Sequence, residues 1–110
     1  MKPRLIRSRF LPWGNFAAIT LFGHVFAHPR TNVSARMWRH EMIHVRQQRE
    51  LLYLPFFLLY LAEWLWLLLR YRNNYQAYRH ISFEREAYEN EGDADYLAHR
   101  PRFANYRKKR

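Results

Sequence analysis

Cysteine is absent from the sequence, which excludes a disulfide framework and restricts any metal site to nitrogen and oxygen ligands. Acidic residues are scarce: 9 aspartates and glutamates stand against 19 lysines and arginines, a formal charge of +10. Such a balance favours anionic partners, phospholipid head groups or nucleic acid, through a salt-sensitive and unselective attraction. There is no internal repeat and no low-complexity linker, and 110 residues are too few for two cores, so one domain with at most one site is expected. Apolar residues are what the chain has in plenty. With 49% hydrophobic and 18% aromatic residues it cannot be a disordered chain, in spite of its charge.

The charge is unevenly spread. Lys2, Arg4, Arg7 and Arg9 crowd one end, which reads as a basic arm over residues 1–15, and Arg107, Lys108, Lys109 and Arg110 crowd the other. Glu84, Glu86, Glu89, Glu91, Asp93 and Asp95 make a local acidic block. The basic residues ahead of "FAAITLFGHVFA" imitate a secretory signal, but Pro12, Gly14 and Asn15 interrupt the approach and the apolar run is short. The expected location is the cytoplasm, including the periphery of the inner membrane face.

Residues 16–29 alternate with period two about Gly23: Ile19 and Leu21 flank Thr20, and Val25 and Ala27 alternate with His24, Phe26 and His28. A short β-ribbon is expected there. Ser34 is a good N-cap for a helix over 34–54, because no glycine or proline intervenes before Pro55. Pro55 suits the first turn of a second, apolar helix over 55–71, and a third helix is expected over 82–99, opening at Ser82. The expected fold is therefore α+β and mainly helical, a short N-terminal ribbon followed by three main helices.

Within the first helix stands "HEMIH", residues 40–44. Residues four apart share a helix face, so His40 and His44 can direct imidazoles at one ion about 2.0–2.1 Å from each nitrogen. Glu41 lies beside that face, where a carboxylate can take a proton from an ion-activated water and return it to a leaving amine. The spacing is the HExxH pattern, expected by chance in about one of fifty such sequences. A catalytic zinc needs a third protein ligand, and the candidates are Glu84 and Glu86 in "SFEREAYEN", which point to different sides of their helix. Tyr78, His80 and Tyr88 are near enough in sequence to serve as transition-state donors. His24 and His28 are candidates for extra ligands. Gln47 and Gln48 read most simply as the solvated continuation of the helix, with one of them a candidate to support a ligand histidine from behind. Without a metal, the same histidines and a buried carboxylate would make a polar core pair.

The pairing of "HEMIHVRQQ" with a downstream helical glutamate resembles the gluzincin branch of zincin metallopeptidases, and most closely minimal gluzincin domains and the cores of CAAX-type membrane proteases. Those families typically carry Glu-x-x-x-Asp, and against that pattern "FEREAY" puts Glu84 at the ligand and Tyr88 at the aspartate. The resemblance, over residues 34–98, implies a minimal zincin-like core that hydrolyses peptide bonds. Zn2+ would be held by His40, His44 and Glu84, with Glu41 as general base and the Tyr88 hydroxyl steadying a ligand histidine. In another register Glu86 is the ligand and Asn90 replaces the aspartate, as in antibiotic-sensor membrane peptidases; Glu84 is preferred. By the same resemblance, "HVFAH" is the edge strand that would align an extended peptide substrate.

Leu51 to Leu69 is apolar except for Glu63 and approaches the length of a membrane span. One crossing would put His40 and His44 about 30 Å from Glu84 across the bilayer, and two would need about 40 apolar residues. A metal site thus requires the second helix to fold back beside the first, in a core or resting on a membrane surface. The alternative function is that of a basic protein without enzymatic activity, with or without a structural metal, associated with a membrane surface or, less favoured, with nucleic acid.

Overall fold

The structure, a computed structural model, describes residues 3–10 and 17–106. Phe16 at the start of the expected ribbon, the Pro12, Gly14 and Asn15 interruption, and the basic residues Lys2, Arg107, Lys108, Lys109 and Arg110 lie outside the described residues. The described residues form an α+β, mainly helical fold. Strands β1 (Leu5–Arg7), β2 (Ala18–Leu21) and β3 (His24–Ala27) precede helices α1 (Ala35–Glu50), α2 (Leu54–Tyr71), α3 (Asn74–His80), α4 (Ser82–Asn90) and α5 (Tyr96–His99). A 3-10 turn over Ala104–Tyr106 follows.

β2 and β3 are the expected ribbon, antiparallel with Thr20 opposite Val25, and Phe22 and Gly23 form the turn at positive φ. The basic arm is not only an arm. Leu5–Arg7 adds to the ribbon in parallel with β3, so the sheet order is β1-β3-β2 and β3 is its central strand. That corrects the expectation for "HVFAH". A strand paired on both sides has no free ladder for a substrate, and the sheet edge facing the helices is β2, where the Thr20 carbonyl accepts from Gln48 of α1.

Helix α1 begins where expected, with Ser34 Oγ accepting from the Met37 amide at 3.1 Å. It is shorter than expected because Leu52 and Tyr53 take positive φ, and the Leu54 amide donates to the Leu52 carbonyl at 2.9 Å. Tyr53, at φ 67° and ψ −73°, is the centre of a strained γ-turn that reverses the chain into α2. Pro55 occupies the first turn of α2, as its missing amide favours. α3 was not expected: Asn73 caps it, its side chain accepting from the Gln76 amide at 3.0 Å. The expected third helix over 82–99 divides into α4 and α5, because Gly92 and Asp93 make a turn in which the Asp93 carboxylate accepts from the Asp95 amide at 2.9 Å.

The core sits between α4 and the two longer helices. Ile43 of α1, Ala87 of α4 and Tyr96 of α5 form one cluster, and Phe56 of α2 joins Ile81 and Phe83 in the other. Truncating Phe83, fully buried against Phe56, removes enough contact to cost about 3–5 kcal/mol. Glu63, the lone charge of the apolar run, turns inward. Its carboxylate accepts from the Ser82 amide at 2.7 Å and hydroxyl at 2.8 Å, capping α4 from another helix where a negative charge also meets the positive helix end.

Candidate metal centre

One turn of α1 and the first turn of α4 face each other, and three side chains meet there. His40 Nε2 and His44 Nε2 are 3.2 Å apart, and Glu84 Oε1 lies 3.3 Å from the first and 3.0 Å from the second. All three residues are buried. The edges of a tetrahedron around an ion at about 2.0–2.1 Å are about 3.3–3.4 Å, so the group could hold a metal ion with little movement.

The other nitrogen of each imidazole is already committed. His44 Nδ1 donates to Gln47 Oε1 at 2.8 Å, and the Gln47 amide is itself oriented by donating to the Phe83 carbonyl and to Glu86 Oε1, both at 2.9 Å. His40 Nδ1 donates to Glu91 Oε1 at 3.1 Å. Since neither acceptor can supply a proton, each neutral ring presents its Nε2 lone pair toward Glu84. Three lone pairs within 3.3 Å repel unless a cation lies between them, either a proton or a metal. The electrostatics agree. Burial alone would lower the His44 pKa, but the Glu84 carboxylate outweighs it and pushes it up to about 10. Burial likewise opposes ionisation of Glu84, yet the two histidines hold its carboxyl well below the usual range.

Tyrosines complete the Glu84 environment. Tyr60 of α2 donates to Glu84 Oε2 at 2.7 Å, and Tyr78 of α3 donates to Oε1 at 3.3 Å. Burial first, and the Glu84 charge second, push both phenols well above their ordinary pKa, so both remain donors. Glu41 enters from the other side. Thr20 Oγ1 on β2 donates to Glu41 Oε1 at 3.0 Å, leaving Oε2 free at 3.9 Å from His40 Nε2. Gln48 fixes that strand to the helix, accepting from the Gly23 amide at 3.0 Å and donating to the Thr20 carbonyl at 2.8 Å.

Several expectations are corrected by these contacts. Glu86 is not at the triad: its carboxylate takes hydrogen bonds from Gln47, Tyr96 and Arg100 on the opposite side of α4. The Tyr88 hydroxyl does not steady a histidine. It lies 2.9 Å from the Tyr78 hydroxyl, while its ring packs edge-on to His40 with centroids 4.6 Å apart. The carboxylate that orients His40 is Glu91, at the C-cap of α4, because two helical turns after Glu84 bring it back to the same face. Gln47 and Gln48 are not solvated; they are 0% and 1% exposed, since α4 and the β2–β3 turn cover that face of α1, and Gln47 is the one of the two that supports a histidine, His44, from behind. His24 accepts from the Arg4 amide, His28 donates to the Ser8 carbonyl and His80 stacks on Tyr71, all away from the triad.

The triad opens into a cleft of about 430 Å³ between β2 and α2, walled by Ile19, Leu21, Phe56, Phe57, Tyr60 and Trp64. Its walls are largely apolar, and its polar groups converge at one end on His40, His44, Glu41 and Glu84, the usual layout of a small-ligand or substrate site. No protein-family model matches the sequence, and no curated protein or solved structure matches it at a significant level.

Proposed function

We propose that this chain is a zinc-dependent peptidase. The observation that supports it most is the meeting of two Nε2 lone pairs and Glu84 Oε1 at 3.0–3.3 Å, with both Nδ1 atoms already bonded elsewhere. A mixed imidazole and carboxylate donor set suits zinc, and three protein ligands leave one position for chemistry. When bound, the ion would supply Lewis acidity toward water and a substrate carbonyl.

The residues of the chain do the remainder. Glu41 Oε2, free because Thr20 holds Oε1, is placed to take a proton from water beside the triad and to return it to the departing amine. Tyr78 lines the cleft and keeps its proton, which it would turn from Glu84 Oε1 to a developing oxyanion while accepting from the Tyr88 hydroxyl across the 2.9 Å between them. The cleft between β2 and α2 can take an extended peptide, whose side chains would lie against the apolar wall of α2.

The test is metal content followed by turnover. About one zinc per chain, lost in His44→Ala and in Glu84→Gln, supports the reading, as does a Glu41→Gln variant that retains zinc and loses cleavage of a mixed peptide library. Metal-free protein that gains no thermal stability with added zinc would sink it. The raised His44 pKa favours a second reading, in which a proton holds a polar pair of His44 and Glu84, and that reading requires the zinc-free result.

A further inference from the structure

Helix α2 is long and apolar, and one whole face of it is exposed. It has 18 residues, about 27 Å, of which Phe56 alone is fully buried. One side packs on α4 through Phe56, Tyr60 and Glu63. The other carries Leu54, Leu58, Leu61, Leu65 and Leu69 as a continuous stripe, with Trp66 beside it. Leu58, Trp66 and Leu69 are 61%, 64% and 75% exposed, a patch far beyond scattered surface leucines. The β2–β3 turn adds Phe22 beside the first turn of α2, 57% exposed and packed against Tyr53 and Phe57 with ring centroids 6.3 and 5.3 Å apart.

We propose that the outer face of α2, together with Phe22, docks in the plane of an anionic lipid surface. Charge selects this occupant. No acidic residue occurs from 64 to 83, whereas Arg70, Arg72 and Arg79 are exposed where the leucine stripe ends, on a chain of formal charge +10. Phospholipid head groups attract such a surface and a second copy of the same chain repels it. A helix partner also fits poorly, because a two-helix seam is flanked by polar positions and this stripe is flanked by Leu59, Ala62 and Trp66. A flat apolar medium accepts that width, and Trp66 suits the boundary between head group and acyl chain. Crossing the bilayer is disfavoured by Tyr60, midway along α2. Its hydroxyl holds Glu84 at 2.7 Å, so a spanning α2 would carry the buried triad and Glu41 to the depth of the hydrocarbon.

This inference does not depend on catalysis, and its test reads binding alone. Full-length protein is sedimented with phosphatidylcholine vesicles and with equimolar phosphatidylcholine and phosphatidylglycerol vesicles. Binding to the anionic vesicles only, weakened by added salt, is expected. The Leu58→Glu, Leu65→Glu double variant alters two exposed side chains, so it should keep the parent circular dichroism and bind at least about tenfold more weakly. Lipids brominated near the head group should quench tryptophan fluorescence more than lipids brominated at the chain end. The proposal is overturned by equal binding to both vesicle types, by a double variant that binds like the parent, or by protein that resists alkaline extraction as a spanning helix does. A solution dimer that ignores vesicles and dissociates in the double variant would also overturn it, assigning the face to a second copy.

Discussion

Glu91 provides a quantitative test of the candidate metal centre, because it touches the triad only through His40. In Glu91→Gln the side chain keeps its size and an acceptor oxygen, but loses the charge that makes the His40 ring a better donor of its Nε2 lone pair. Removing a partner that orients a metal-binding histidine typically costs 10–100-fold in metal affinity, roughly 1.4–2.7 kcal/mol. Glu91 has 14% side-chain exposure, so water screens part of its charge and an amide still accepts; about tenfold is expected for glutamine and more for alanine. Its other ion pair should matter little. The Arg36 side chain is 67% exposed, so its 2.6 Å contact with Glu91 adds at most about 1 kcal/mol to stability. The assay is competition for zinc against a chelating indicator at pH 7, comparing the parent, Glu91→Gln, Glu91→Ala and Arg36→Ala. The last should stay within about twofold of the parent. Parent-like zinc affinity in both Glu91 variants would refute the reasoning, since His40 would then need no carboxylate behind it.

Zinc should displace a proton: with the His44 pKa pushed up to about 10, the metal-free protein carries that proton at pH 7, and titration calorimetry in buffers of different ionisation enthalpy should find about one released. The same shift sets the pH dependence of the metal-free fold. Because the folded pKa is raised, the stabilisation is whole below about pH 6.5 and is lost as pH rises through about 10, so melting temperatures should fall across that window without zinc and stay level with it. Gln48→Ala strands the Gly23 amide and the Thr20 carbonyl beneath the ribbon; urea unfolding should show a loss of about 2–4 kcal/mol, and less than about 1 would mean that the ribbon is held otherwise. Thr20→Val keeps the side-chain shape and frees both oxygens of Glu41, so peptide cleavage should fall about tenfold with zinc content unchanged.

Local periodicity carried much of the fold and the centre of the site. His40 and His44 fall on one face of any α-helix, and the alternation around Gly23 is the signature of a hairpin, so both could be read without knowing what packs where. Contacts that depend on the crossing of distant elements could not. Alternation identifies β3 as a strand but says nothing of its neighbours, and Leu5–Arg7 gives too short a pattern to announce a parallel partner. Glutamine in a helix reads as solvent-facing, whereas Gln47 and Gln48 are buried because each of their polar atoms finds a partner on another element. Glu91 had a usable signal, seven residues beyond Glu84 on the same helix face, but its use required knowing that α4 reaches that far. Tyr60 had none, being one aromatic in an apolar run.

The segment after α5 acts as a clasp. The Arg100 side chain, 2% exposed, forks between Glu50 at the end of α1 and Glu86 on α4, and the Phe103 amide adds a second bond to Glu50. Asn105 and Tyr106 then reach Ser82 and Glu63. Every one of these links joins positions far apart in the chain, so loop closure must come before their reward, and they form late. During synthesis the hairpin and α1 can take shape as they emerge, while Glu86 lacks its neutralising guanidinium until residue 100 has followed. The buried scaffold behind His44 is thus finished only by residues 100–106, and a growing polypeptide should leave Gln47 and Glu86 loosely held until that clasp has emerged and closed.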